Sequence, residues 1–569
     1  MQVFIRSLTA ISLLGLAIVA HAQISDDIEA PYARVTGQES ATTPGVMTFL
    51  GVPYAEPPLE ANRWRAPILL TDARRVRAEA YGAQCVQTAA TNTNLLPGGG
   101  GFAGQFGRGG GGLGGGGRLG GGFGGPPGGF GGFGMRVATS EDCLFLNIWS
   151  GADSEDAGAP VLVWIGGEQL QRGAGSNPIG LGEQLASRGV VVASINYRLG
   201  TFGFLAHPEL SAEAGTSGNY GLLDAIAALQ WIKANIESFG GDPNNITVVA
   251  ASAGADMTAA LIGSPEASGL FQKAVLQSGT WMGTGIAKMQ TLAEAEASGA
   301  ALMSAQFPDM DLEDLRDLPY GQLSGKLQDP SIVVDGRIIP RDLAEVFANG
   351  EQNAVNVIVG SNKEEGVTFL QRTSIRSPAQ FDAYVRERFG ALADEFLRMY
   401  PSGTTISDED TANGVAAASN VTALGDELAW AMRKVALSQL EVGSSGYVYE
   451  FTRVPPAAGT DLTAPASTHG VEVQYVLNNM GPNRDWTNGD RQLAQVMASY
   501  WLNFAETGSP NGNHRWQDDT ELPVWPAYSG SDEFQAMEFG DRIGTNPIWQ
   551  VGPERLELFD RIYEALVLN

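Results

Sequence analysis

Ser252 stands in the stretch VVAASAGADMTAALI, at the corner where a β-branched run gives way to a helical pattern, and a serine so placed has the setting of a nucleophile. A strained strand-to-helix turn needs small residues two places before and two places after the serine, because the two backbones approach closely there. Ala250 and Gly254 meet that need, so A-x-S-x-G takes the place of the more usual G-x-S-x-G. A serine hydroxyl is a weak nucleophile until a base removes its proton, so the histidines decide more than the turn does. There are four, His21, His207, His469 and His514. In the architecture such an elbow implies, nucleophile, acid and histidine follow one another along the chain, which leaves His469 and His514. His514 lies in SPNGNHRWQDD, a polar loop that suits a solvated imidazole. His469 lies in APASTHGVEVQYVL, directly before an apolar segment that can hold it over a sheet edge, and it is preferred. For the acid, NVIVGSNKEEGVTFL offers Glu364 and Glu365 just beyond a strand, either of which can orient an imidazole.

Positioning these groups requires a sheet. VLVWI (161–165), VVVASIN (190–196), ITVVAAS (246–252), AVLQS (274–278), NVIVGSN (356–362) and YVYEF (447–451) are β-branched or aromatic runs bounded by turn residues. Helical spacing, as in residues 224–236, separates several of them. Near-continuous apolar strands interleaved with helices predict an α/β protein with a large, mostly parallel sheet covered on both faces.

Across 569 residues the formal charge is −28, which excludes the basic surface that nucleic acids or anionic membranes demand. The opening MQVFIRSLTAISLLGLAIVAHA has a basic residue, a short apolar run and Ala20-His21-Ala22, the form of a signal peptide cleaved after Ala22. Residues 23–569 are then expected as a single domain without a membrane span, secreted or periplasmic. In an oxidising compartment the two cysteines, Cys85 and Cys143, are expected to pair, stabilising the fold by on the order of 4 kcal/mol if chain entropy governs. The intervening segment 97–134 holds 24 of the 74 glycines, too many to bury enough apolar area, and is expected to be a disordered insertion. No metal, nucleotide or flavin signature is present, so no cofactor is expected.

Several ordered blocks resemble the type-B carboxylesterase and cholinesterase-like family, on the α/β-hydrolase fold, from about Val35 to the C-terminal helix. They include FLGVPYAEPPLEANRWRAP (49–67), SEDCLFLNIW (140–149), NYRLGTFGFL (196–205), GNYGLLDAIAALQWIKANIESFGGDPNNITVVAASAGA (218–255), VGSNKEEG (359–366) and FAETGSPNG (504–512). The resemblance implies a carboxylic-ester hydrolase with Ser252 as nucleophile, His469 as base and Glu365 as the acid. It also implies a Cys85–Cys143 disulfide bordering the entrance to the site. Structural ion pairs Arg63–Glu141 and Arg198–Asp224 follow from the same likeness. Phe369, just after the EEG element, is expected to line the substrate pocket.

Two departures bear on the chemistry. Acyl transfer needs donors aimed at the oxyanion, often the largest electrostatic contribution. The family draws them from a His-Gly-Gly-Gly run and from the residue after the nucleophile, here Ala253. This chain has VWIGGEQLQRG, so Gly167, Glu168 and Gln169 are the loop positions whose backbone is expected to serve, and side chains there are costly if φ is positive. The family's glutamate beside the nucleophile is Ala251, and Glu168 could return a carboxylate to that neighbourhood. These changes leave a second reading, a weakly active or inactive binding protein on the same scaffold. Small-molecule esters are the expected partners, and the sequence leaves oligomeric state open.

Overall fold

A computed structural model describes residues 24–87, 137–282, 286–324, 330–370, 375, 377–403, 409–457, 466–482, 484–512, 521–530, 536–546 and 551–568. The expected signal peptide at 1–22 and the glycine-rich segment 97–134 lie outside the described residues. So does His514.

Each of the six apolar runs is a strand of one eleven-stranded sheet. Seven strands share a direction and lie side by side, in the order Val191–Ile195, Ala159–Ile165, Gly241–Ala251, Lys273–Gln277, Asn356–Asn362, Gly446–Phe451 and Ala536–Phe539. Strands joined by antiparallel pairing extend the sheet, Ile543–Asn546 on one side and Phe145–Ser150, Met47–Pro53 and Gln38–Glu39 in turn on the other. Parallel neighbours need crossovers, and the helical patterns between the runs supply them. The expected helix at 224–236 is observed as Tyr220–Asn235.

Alternation along the strands divides the interior into two layers. In the strand Gly241–Ala251, Ile246, Val248 and Ala250 enter one core with residues of the helices Tyr220–Asn235 and Ala253–Gly263. Val249 and Ala251 enter the other, which holds the apolar face of helix Asn488–Thr507. The strand ends that matter for function are therefore fixed from both sides.

Cys85 and Cys143 form a disulfide. Nearby, Arg63 meets Glu141 with two hydrogen bonds (2.7 and 2.5 Å) and also donates to the carbonyls of Leu315 and Leu318. Arg198 meets Asp224 at 2.7 Å through each of two nitrogens. Both pairs are buried, so removing either partner would strand a charge in the interior. Among the described residues no helix is long and apolar enough to cross a membrane.

Candidate active site

The strand Gly241–Ala251 runs into the helix Ala253–Gly263 through Ser252 alone, with φ 56° and ψ −131°. Such a conformation is sparsely populated and costs on the order of 1–3 kcal/mol, which the packing on both sides must offset. The Ser252 N–H donates to the Gln277 carbonyl on the neighbouring strand (2.9 Å), pinning the corner. A Cβ on Gly254 would stand 2.1 Å from the Ile165 carbonyl oxygen. Glycine is thus required at that position, whereas at position 250 a methyl group fits a fully buried site. The two ends of A-x-S-x-G are not equivalent.

His469 joins the other two predicted residues. Its Nε2 lies 2.9 Å from Ser252 Oγ and its Nδ1 lies 2.6 Å from Glu365 Oε2. The second carboxylate oxygen of Glu365 accepts from Ser278 Oγ (2.5 Å) and from the Asn362 N–H (2.7 Å), so the acid is held at both ends. Glu364, the open alternative, points elsewhere: it accepts the Ser467 N–H and fixes the loop that carries His469. Asn362 Nδ2 donates to the Thr468 carbonyl (2.7 Å), bracing the same loop. Phe369 is buried with its ring edge-on to the imidazole, centroids 5.1 Å apart.

Several carboxyl groups set the electrostatics of the histidine. Burial favours its neutral form, but Glu365 outweighs that and Glu472 and Asp256 add to it, so the imidazole pKa ends above its ordinary 6.5. Glu472 is buried behind Glu365, accepting from Gln277 Nε2 (3.2 Å) and from Asn362 Nδ2. Burial, then the charge of Glu365, raises its carboxyl above the usual range. Asp256 lies one helical turn beyond Ser252. Burial pushes its pKa up to about 8, against the opposing pull of the Thr280 N–H and of His469.

The loop expected to meet the oxyanion departs from that expectation at Glu168. Its N–H donates to the Arg172 carbonyl (2.7 Å) and its carbonyl accepts from Arg172 N (3.0 Å), closing a small turn. That N–H is spent, so Glu168 is withdrawn from the donors expected from the sequence. Its carboxylate lies 3.8 Å from the Arg172 guanidinium. Gln169 and Leu170 follow with φ 55° and 56°, in the region glycine favours, at a cost of roughly 1–2 kcal/mol each. Gly167, by contrast, lies against the elbow helix. A Cβ there would stand 2.2 Å from Tyr197 Oη and 3.3 Å from Gly254 N. Ala253 opens the helix, where a backbone N–H has no carbonyl one turn back to bond.

A family model described as the carboxylesterase family matches residues 25–546. This chain belongs to the carboxylesterase family. As a carboxylesterase it is 32% identical to a fumonisin B1 esterase of Sphingopyxis macrogoltabida, over 95% of this chain and 92% of that one. It is 29% identical to a para-nitrobenzyl esterase of Bacillus subtilis, over 87% and 91%. Among solved structures, a Geobacillus stearothermophilus carboxylesterase superposes with a TM-score of 0.70 at 28% identity, covering 93% of this chain and 99% of that one. The α/β-hydrolase fold and carboxylic-ester hydrolysis follow. Three residues of this carboxylesterase's site have no signal in the sequence that assigns them a role. Ser278, Glu472 and Asp256 lie in or beside recognisable motifs, but their partners are distant along the chain.

Proposed function

We propose that this carboxylesterase hydrolyses small-molecule esters through an acyl-enzyme formed on Ser252. The observation that carries the reading is the buried imidazole of His469, in hydrogen-bond reach of Ser252 on one side and Glu365 on the other. As Ser252 Oγ attacks the ester carbonyl carbon, its proton passes to His469 Nε2, and Glu365 holds the proton already on Nδ1 and stabilises the imidazolium. The carbonyl oxygen gains negative charge and is met by the N–H groups of Ala253 and Gly167, the two expected donors that lie at the elbow. Collapse breaks the bond to the alcohol, which leaves with the proton from Nε2. Water, deprotonated by the same nitrogen, then attacks the acyl carbon; collapse breaks the bond to Ser252 Oγ, which takes back the proton from Nε2 as the carboxylic acid leaves.

Relatives named for unlike esters, fumonisin B1 and para-nitrobenzyl, leave the acyl and alcohol groups of this enzyme's substrate open. The proposal extends to export of the protein, supported by the N-terminal pattern and by a disulfide that suits an oxidising compartment. The test is a panel of p-nitrophenyl esters together with an organophosphate. Hydrolysis that Ser252→Ala abolishes, with phosphylation of Ser252 in the native protein, supports the reading. A folded protein that neither turns over an ester nor takes the organophosphate is a binding protein instead.

A further inference from the structure

We propose that Asp256 selects substrates by charge, taking an ester with a cationic group near the scissile bond in preference to a neutral or anionic one. The inference rests on the ester-hydrolase reading and names a residue that decides which esters the site accepts.

The helix Ala253–Gly263 has eleven residues, ten of them buried; Asp256 is the exception and keeps an accessible edge. It is also the helix's one charged residue, in an otherwise small and apolar run. Helical side chains tilt towards the N-terminus, so a residue one turn beyond Ser252 leans back over it. Asp256 and His469 act on each other electrostatically, which puts that accessible edge at the catalytic end of the helix. The carboxyl is fixed there, because Oδ1 accepts the Thr280 N–H at 2.9 Å. Gly279 allows this approach, since a Cβ at that position would stand 2.8 Å from the same oxygen.

Other charges do not fill the role. Ala251, beside the nucleophile, has none, and the carboxylate of Glu168 is paired with Arg172. The titratable groups facing Asp256 are His469, from the loop that bears it, and Tyr197, beyond the strand Val191–Ile195. Glu365 and Glu472 act on the other side of His469. Burial holds the Tyr197 hydroxyl far above its ordinary range, so in mild alkali it stays neutral while Asp256 ionises.

The experiment compares two p-nitrophenyl esters of one shape, an acyl chain ending in trimethylammonium and the same chain ending in tert-butyl. The titration of His469 and the attack of hydroxide affect both alike, so the ratio of their kcat/KM values isolates the effect of charge. Between about pH 6 and about pH 9.5 the ratio should rise about tenfold in the native enzyme, turning near the Asp256 transition. Asp256→Asn keeps an oxygen for the Thr280 N–H and should flatten the curve; Asp256→Glu should retain the rise. A flat ratio in the native enzyme, or an undiminished rise in Asp256→Asn, overturns the inference while leaving ester hydrolysis intact. If Asp256→Asn does not fold, the native curve and Asp256→Glu still decide. Failure to turn over either ester, with no phosphylation of Ser252, would instead bring down the hydrolase reading, and this inference with it.

Discussion

Replacing Asp256 by Asn should stabilise the protein, and the gain should grow with pH. The ordinary aspartyl value is 3.8, and burial in the folded chain raises it to about 8. Below about pH 4 the folded and unfolded chains both hold the proton, so ionisation costs nothing. Between the two values the unfolded chain releases a proton that the folded chain retains, and each added pH unit removes about 1.4 kcal/mol of stability. Above the folded value both states are ionised and the penalty is constant. A gap of about four units sets a ceiling of roughly 6 kcal/mol, which the accessible edge of the residue and local relaxation reduce to about 2–4 kcal/mol. Asparagine resembles the protonated form, with an oxygen for the Thr280 N–H and a donor in place of the hydroxyl, so it escapes the penalty.

For a chain of this length, roughly 1 kcal/mol moves the thermal midpoint by about 1 °C. Thermal unfolding followed by tryptophan fluorescence, from about pH 5 to about pH 9, should show the Asp256→Asn midpoint pulling ahead by about 2–4 °C across the range. Parallel midpoint curves for the two proteins would refute the reasoning, since they would mean that Asp256 ionises alike in the folded and unfolded states. An Asn variant that is less stable at every pH by a fixed amount would refute it equally.

Glu365→Gln should lower kcat by about four orders of magnitude with little change in KM, because the amide must give its oxygen to the Asn362 N–H and turn its NH₂ towards Nδ1. That forces the tautomer in which Nε2 carries the proton and cannot accept one from Ser252; steady-state kinetics on a p-nitrophenyl ester measure it, and a loss below tenfold would count against it. Protonated His469 cannot act as a base, and its pKa is held above 6.5, so kcat/KM should fall as pH drops through a midpoint above 6.5. A pH–rate profile with its acid limb below that value would contradict the charge balance described around the imidazole.

The sheet was readable because its strands are long apolar runs whose length and β-branching are local properties. The corner at Ser252 was readable for a similar reason, since the turn restricts side-chain size within a few residues, although only the structure shows that Gly254 is confined by the Ile165 carbonyl and Ala250 is not. The loop expected to meet the oxyanion was readable only in part. Substituting Glu168 and Gln169 for glycine was visible, but the turn in which Arg172 consumes the Glu168 N–H depends on a hydrogen bond that no spacing rule announces.

Ionisation is the property that sequence pattern conceals most completely, and Asp256 shows why. Its type and its place one turn after Ser252 were in plain view, but neither assigns it a role. What makes the residue a chemical group rather than a solvated charge is the burial that raises its pKa, the N–H of Thr280 donated from 24 residues away, and His469, 213 residues further along. Each of those is fixed by how the strand ends converge. The fold therefore decides not only where the carboxyls around His469 stand but which of them carry charge at a given pH, and the balance of those charges governs both the basicity of the imidazole and the esters that can approach it.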